Sequence, residues 1–295
     1  MSDCQTPRAA FAYQVGQLRF RYTHHQGHAG SGSQRWTLNG LTFAVARGES
    51  LGIIGPNGSG KTSLLKLLVK VLRPQEGTVH LFGAELGVMS QSAMARLVAY
   101  VPQDFQQIFP FTIAEMVLMG RFPHHQNAQI LSGFRWESVD DIERARQAMD
   151  VMDVAHLANR FISDVSGGER QRAIIARALA QEPSVLLLDE PMAFLDLNHQ
   201  LEICRTLRRL NEERGLTVIV VSHDLNLASQ YCDRLMLMKE GRIALLGPPQ
   251  DVIQPEVLEA VYGCKVLVDR HPDSGLPRVT LPGRTGIVSA SEAAT

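Results

Sequence analysis

Gly55-Pro56-Asn57-Gly58-Ser59-Gly60-Lys61-Thr62 fits the pattern G-x-x-x-x-G-K-[ST], between an apolar run and a leucine-rich one. Glycines let the backbone curl until successive N–H groups converge, a geometry that suits phosphate oxygens. The helix that follows adds its own N-terminal N–H groups and the positive end of its dipole. Lys61 can then bridge β- and γ-phosphates, and the Thr62 hydroxyl can ligate Mg2+. Ser63 lies next in the same turn. The run before the loop, Ser50–Ile54, reads as an apolar strand, so the expected unit is strand, phosphate loop, helix. A glycine-rich turn arising by chance would not bring both flanks with it.

A second segment has matching chemistry. Val185-Leu186-Leu187-Leu188-Asp189-Glu190-Pro191 is an apolar strand that ends in two acids. Asp189 at the strand tip can hold Mg2+ through water. Glu190 is placed to orient an attacking water or take its proton. Many strands end in an acid at a turn, so this segment alone would say little. Beside the phosphate loop it points to hydrolysis of a nucleoside triphosphate.

The chain has 295 residues, room for one large domain or two small ones, and is 45% hydrophobic and 20% charged, enough for a sizeable core. Its 30 acids and 29 bases nearly cancel, which argues against nucleic acid as a partner. Cys4, Cys204, Cys232 and Cys264 are far apart with no CxxC pair, the pattern of free thiols in a reducing compartment. Apolar runs such as Val218–Val221 fall well short of the roughly 20 residues that a membrane-crossing helix needs. The first ten residues lack an apolar signal core. The expectation is a soluble chain in the cytoplasm, held at a membrane only by a partner.

Strand and helix signals alternate along most of the chain. Gln17–Tyr22 and Leu41–Val45 alternate in part and read as strands. The histidine- and glycine-rich stretch between them reads as a loop, with His24, His25 and His28 loop residues rather than a metal site. A buried helix is expected from Gly60 through Leu72, ended by Pro74 and Gly77. Thr112-Ile113-Ala114-Glu115 is a capping-box pattern that starts another helix. Val139–Met152 reads as a charged helix, and His124-His125 as surface loop. Val185–Leu188 and Val218–Val221, separated by a helix over Asn198–Glu213, indicate α/β layering on a mostly parallel sheet. A short helix over Pro255–Tyr262 and a hairpin from Lys265–Asp269 and Arg278–Leu281 follow, and from Arg284 the chain is expected to be disordered.

Between the two chemical motifs lies Val165-Ser166-Gly167-Gly168-Glu169-Arg170-Gln171-Arg172. Read alone, Ser166 could simply cap a helix. In this order the whole set resembles the ABC ATPase family. Ser166, Gly167, Gly168 and Glu169 look like its signature motif, and Gln103 in Val101-Pro102-Gln103 like its Q-loop. Asp196 in Ala193-Phe194-Leu195-Asp196 looks like its D-loop, and His223 in Val221-Ser222-His223-Asp224 like its switch histidine. Tyr22 looks like its adenine-stacking aromatic, with Trp36 a competitor for that role. Val165, Glu169 and Met192 depart from the commonest residues; Met192 removes a usual hydroxyl beside the D-loop.

The resemblance implies a P-loop NTPase of ABC ATPase type, with a mostly parallel core sheet, an N-terminal antiparallel β part and an inserted helical subdomain. The cassette would span residues 14–250, with the helical subdomain at about 104–165. A small extension at 251–283 and the tail at 284–295 complete the chain. It also implies ATP and Mg2+ as cofactors, Gln103 as a further metal contact, and a head-to-tail dimer with ATP between the phosphate loop of one copy and Ser166–Glu169 of the other. Phe194-Leu195-Asp196-Leu197-Asn198-His199-Gln200 and the tail around Val268–Pro272 and Pro277–Val279 resemble ATPases that import ferric siderophores, cobalamin and haem. That subfamily works with an integral membrane permease and a substrate-binding protein, on the cytoplasmic face of the membrane. The helical region would dock the permease, with Phe109, Phe111, Met116 and Arg121 as the candidate surface. Soluble ABC ATPases of DNA repair or translation, and the motor of an exporter, are the alternatives. The absence of a coiled-coil insertion and of a second cassette disfavours the soluble types, and the absence of a fused permease disfavours the exporter.

Overall fold

Ser50–Ile54 is the first strand along the chain to pair in parallel. The computed structural model describes residues 10–22, 36–103, 109–125 and 138–283. His24, His25, His28, Cys4 and the tail from Arg284 lie outside the described residues.

β1 (Phe11–Phe20) and β2 (Leu38–Ala46) form an antiparallel pair. β3 (Ser50–Ile54) leads through the phosphate loop into α1 (Lys61–Leu68), and β4 (Glu76–Leu81) and β5 (Ala84–Glu85) return to the first pair. Four strands thus make an antiparallel sheet in the order β2-β1-β4-β5. Next come α2 (Gln91–Leu97), β6 (Val98–Val101), α3 (Ile113–Leu118), α4 (Val139–Val151), α5 (Gly167–Ala180) and β7 (Val185–Asp189). α6 (Leu197–Arg214), β8 (Thr217–Val221), α7 (Leu225–Tyr231), β9 (Arg234–Lys239) and β10 (Arg242–Gly247) follow. The main sheet runs β10-β9-β3-β8-β7-β6, parallel except at β10.

The continuous apolar runs of β3, β7 and β8 are explained by burial on both faces. Along β7, Val185 and Leu187 join a core with α1 and the antiparallel sheet. Leu186 and Leu188 point the other way, into a core with Ile174 of α5 and Ile203 of α6. Tyr13 ties two layers together, donating from its fully buried hydroxyl to Leu68 O at 2.9 Å.

α1 is shorter than the leucine pattern suggests. It ends at Leu68 because Lys70 turns left-handed at φ 57, and Lys66 O then accepts from both Val71 N and Leu72 N. Val71 is left 63% exposed. The capping box at α3 is present, with Glu115 N donating to Thr112 Oγ1 and Thr112 N to Glu115 Oε2. Ser138 and Asp141 make a second one at α4.

α8 (Pro249–Val252), α9 (Pro255–Tyr262) and the hairpin of β11 (Leu267–Arg270) with β12 (Pro277–Thr280) close the described chain. The hairpin is bound to α7: Asn226 exchanges two hydrogen bonds with the Val279 backbone, and Ser229 Oγ donates to Pro277 O at 2.7 Å.

Candidate nucleotide site

The phosphate loop lies at the C-terminal end of β3, where parallel sheets place ligands. Gly55 has φ 144, and a Cβ there would stand 2.2 Å from Met238 O. Gly60, at φ 100, would press a Cβ to 2.5 Å from Leu38 Cδ2. Side chains are therefore excluded at both ends of the loop. Pro56 is half-buried, Asn57 and Gly58 are exposed, and Ser59 is buried with its hydroxyl unpartnered.

Lys61 is buried and folds back along the loop, donating from Nζ to Gly55 O at 2.8 Å and Pro56 O at 3.0 Å. Burial lowers its pKa, while the carboxylates of Glu190 and Asp189 act in the opposite sense. The ammonium thus lies within the field of both acids at the end of β7.

Asp189 is 1% exposed. Its Oδ1 accepts from Thr62 Oγ1 at 3.1 Å and its Oδ2 from Tyr100 Oη at 3.3 Å. Burial raises its carboxyl pKa, and the bond from Thr62 opposes that rise. Burial also pushes up the Tyr100 phenol, so it remains a donor. Tyr100 carried no motif signal; it reaches Asp189 because β6 pairs with β7, with Tyr100 opposite Leu187.

Glu190 follows in a left-handed conformation, φ 51, uncommon for a residue with a side chain. The turn directs its carboxylate to two residues from other strand ends. Gln103 Nε2 donates to Oε2 at 2.7 Å, and His223 Nε2 meets Oε1. Lys61, Thr62, Asp189, Glu190, Gln103 and His223 are therefore linked into one cluster at the C-terminal edge of the sheet.

Ser166 caps α5 and forms a capping box with Glu169, whose carboxyl pKa is lowered by the hydrogen bonds at Ser166. Ser166 and Gly167 are exposed, and Gly168 is buried. Asp196 caps α6 through His199 N at 3.0 Å. Phe194 and Leu197, on either side of it, are 102% and 77% exposed. The hydrogen bonds of Ser166, Glu169 and Asp196 stay within their own helix starts, and among the described residues none reaches the Lys61 cluster of the same chain.

Tyr22 is 47% exposed, sets its edge on Phe20, and lies 3.2 Å by its hydroxyl from Ser63 Oγ in α1. Trp36 lines an open cleft of about 590 Å³ together with Asn57, Gly58 and Ser59 of the phosphate loop. The Arg21 guanidinium covers the Trp36 ring at 4.9 Å.

The docking surface expected at the helical region needs correction. Met116 is 1% exposed and belongs to the core. Arg121 is buried, bonded to Asp141 Oδ1 at 3.0 Å, Glu182 Oε2 at 2.8 Å and Ala180 O at 2.8 Å. Helical spacing put apolar Met116 on the inner face, and three acceptors hold Arg121 inside. Among the described residues there, Phe109, Phe122 and Phe161 are the exposed aromatics, and Phe111 is half-buried. His124 and His125 are not loose either: His124 Nε2 lies 2.9 Å from Gln181 O, and His125 Nε2 lies 3.5 Å from Asp141.

The ABC transporter family model matches residues 38–193, from β2 to just past Glu190. The hemin import ATP-binding protein of Gloeobacter violaceus is 42% identical over 265 residues, covering 88% of this chain and 93% of that one. The ferric enterobactin transport ATP-binding protein of Escherichia coli is 36% identical, covering 85% and 90%. Among solved structures, a chain of a transporter described as of metal-chelate type, in an inward-facing conformation, superposes with a TM-score of 0.77 at 27% identity, covering 94% of this chain and all of that one. The match contains the phosphate loop and the Asp189–Glu190 pair, and the relatives extend it across the cassette: the chain belongs to the ABC transporter family and is one of its ATP-binding, ATP-hydrolysing subunits.

Proposed function

We propose that this chain powers the import of a metal chelate, of the ferric siderophore, cobalamin or haem kind, by hydrolysing ATP beneath a separate membrane permease. The observation that carries the hydrolytic part is the Glu190 carboxylate held between Gln103 and His223, beside buried Asp189 and within the field of Lys61. The transport part rests on likeness to import subunits that covers most of both chains. Among the described residues no helix is long and apolar enough to cross a membrane, which agrees with a permease on another chain and a peripheral place on the cytoplasmic face. A substrate-binding protein would deliver the chelate to that permease.

The loop N–H groups and Lys61 bind the β- and γ-phosphates, and Tyr22 takes the adenine face. Mg2+ fits the residues present: a buried carboxylate and a hydroxyl, Asp189 and Thr62, offer oxygen ligands to a hard cation. Gln103, bonded to the neighbouring Glu190, is the further metal contact in this reading. When bound, the ion neutralises phosphate charge. Glu190 orients the attacking water and accepts its proton, and His223 moves from Glu190 to the γ-phosphate.

Ser166, Gly167, Gly168 and Glu169 complete the site from a second copy of the chain. The support is that Ser166, Gly167 and Asp196 are exposed at helix starts, and that Asp196 is flanked by Phe194 and Leu197, exposed apolar residues that a partner would cover. ATP then joins two copies, and hydrolysis separates them, a two-state motion that can drive a permease.

Glu190→Gln tests the reading. It keeps the ground-state contacts and removes only the carboxylate's help to water. With MgATP it is expected to run as a dimer in gel filtration and to hydrolyse ATP at least about a hundredfold more slowly. Co-purification of the wild-type chain with a polytopic permease tests the importer part. A Glu190→Gln chain that stays monomeric in MgATP would contradict the ATP sandwich, and a wild-type chain that captures no permease would contradict import.

A further inference from the structure

Resting on the proposed ATP-sandwich dimer, we infer that His199 is a positioning residue that locks the signature turn to the D-loop, so that both reach the partner's nucleotide as one rigid face.

His199 stands in the first turn of α6, three residues after Asp196. Its ring fills the space beside Gly168. A Cβ at Gly168 would lie 2.1 Å from His199 Cδ2 and 2.5 Å from Cγ, so only glycine admits the ring. On its other edge, Nδ1 accepts from Arg172 Nη1 at 2.8 Å. Arg172 belongs to α5, one turn beyond Gly168, and the same Nη1 donates to Glu202 Oε2 at 2.7 Å. Nε2 lies 3.8 Å from Asp196 Oδ2, and the His199 backbone N–H donates to Asp196 Oδ1 at 3.0 Å. One imidazole therefore touches Gly168 and Arg172 of the signature helix and Asp196 of the D-loop.

Guanidinium nitrogen has no lone pair to offer, so Nδ1 is the acceptor in the Arg172 contact. The same Nδ1 stands 3.4 Å from Glu202 Oε2, so arginine and glutamate both face that edge of the ring. Arg172 is itself 7% exposed, so its guanidinium relies on His199 and Glu202 for partners. A ring held on three sides has little freedom to move α5 and α6 apart.

The consequence concerns the dimer and not the P-loop half of the site. Signature N–H groups and Asp196 belong to the copy that closes over ATP, whereas Lys61 and Thr62 bind it first. Without the His199 ring each element samples its own orientation, and closure must fix both. Neighbouring residues in such a cluster couple strongly enough to shift an equilibrium about tenfold or more.

The test uses the full chain with Glu190→Gln as reference. His199→Ala in that background is expected to bind a fluorescent ATP analogue as a monomer with unchanged affinity. The MgATP concentration that half-saturates dimerisation should rise at least about tenfold. In the otherwise wild-type chain, His199→Ala should lower kcat with little change in monomer binding, and His199→Gln, which restores an acceptor to Arg172, should recover part of it. Gly168→Ala, which expels the ring from the other side, should reproduce the dimerisation defect if His199→Ala fails to fold. If the Glu190→Gln reference does not dimerise, the sandwich reading itself fails. If the reference dimerises and both the His199→Ala and Gly168→Ala chains dimerise at the same MgATP concentration, the lock is refuted.

Discussion

Gln103 Nε2 donates to Glu190 Oε2 at 2.7 Å, across 87 positions of sequence. His223 Nε2 reaches the other oxygen of the same carboxylate. The three side chains come from the ends of β6, β7 and β8, adjacent strands in the main sheet. Strand order therefore gathers the cluster, and the left-handed backbone at Glu190 aims its centre.

Removing either partner of Glu190 should slow chemistry more than binding. Gln103→Ala and His223→Ala are each expected to reduce kcat about a hundredfold, the scale for loss of one preorganised polar contact at a reacting centre. Steady-state ATPase assays beside equilibrium ATP binding would check this. Equal losses in both would mean that the two residues only support the fold.

Lys61→Ala removes the single buried cation of the loop. Charge-assisted bonds of this kind are worth about 1.5–3 kcal/mol, so ATP affinity should fall about ten- to a hundredfold. Turnover should become undetectable, because Lys61 also faces the charge that develops on the phosphates. The loop itself should survive, since Gly55 and Pro56 would lose only a donor that waters can replace. Binding by titration calorimetry and thermal melting together separate these effects.

Arg121 and Asp141 concern stability. Arg121→Ala leaves a buried carboxylate without its guanidinium and should cost about 3 kcal/mol, read as a lower urea midpoint. Burial by itself would raise the Asp141 pKa, but hydrogen bonds from Ser138 and Arg121 outweigh it and hold it down at about 2. The folded value is thus below the unfolded one of about 3.9. The stability it contributes is present above about pH 4 and is lost as pH falls towards 2. Asp141→Asn should be less stable near neutrality and should lack this component of the acid slope. Urea titrations from pH 5 to pH 2.5 would show whether the two curves converge.

Phe109→Glu and Phe122→Glu test the revised docking surface. Both residues are exposed, whereas Met116 and Arg121 are interior. Each charge substitution should abolish co-purification with the permease and chelate uptake while the isolated subunit still hydrolyses ATP. Normal association by both variants would move the interface elsewhere.

Local chemistry was legible in the sequence. The glycines of the phosphate loop, the acids at the end of β7, the capping box at Thr112 and the cap at Ser166 act over a few residues, so spacing alone reveals them. Burial of β7 and β8 was legible too, because a strand covered on both faces must be apolar throughout. What depended on tertiary structure was pairing at long range. Tyr100 reaches Asp189 only because β6 lies beside β7, and His199 meets Gly168 only because α6 starts against α5. The same holds for exposure: Arg121 looks like a surface cation until Asp141, Glu182 and Ala180 surround it. A side chain's identity fixes what it can bond, but the packing of distant elements decides which partner it finds and whether water can compete.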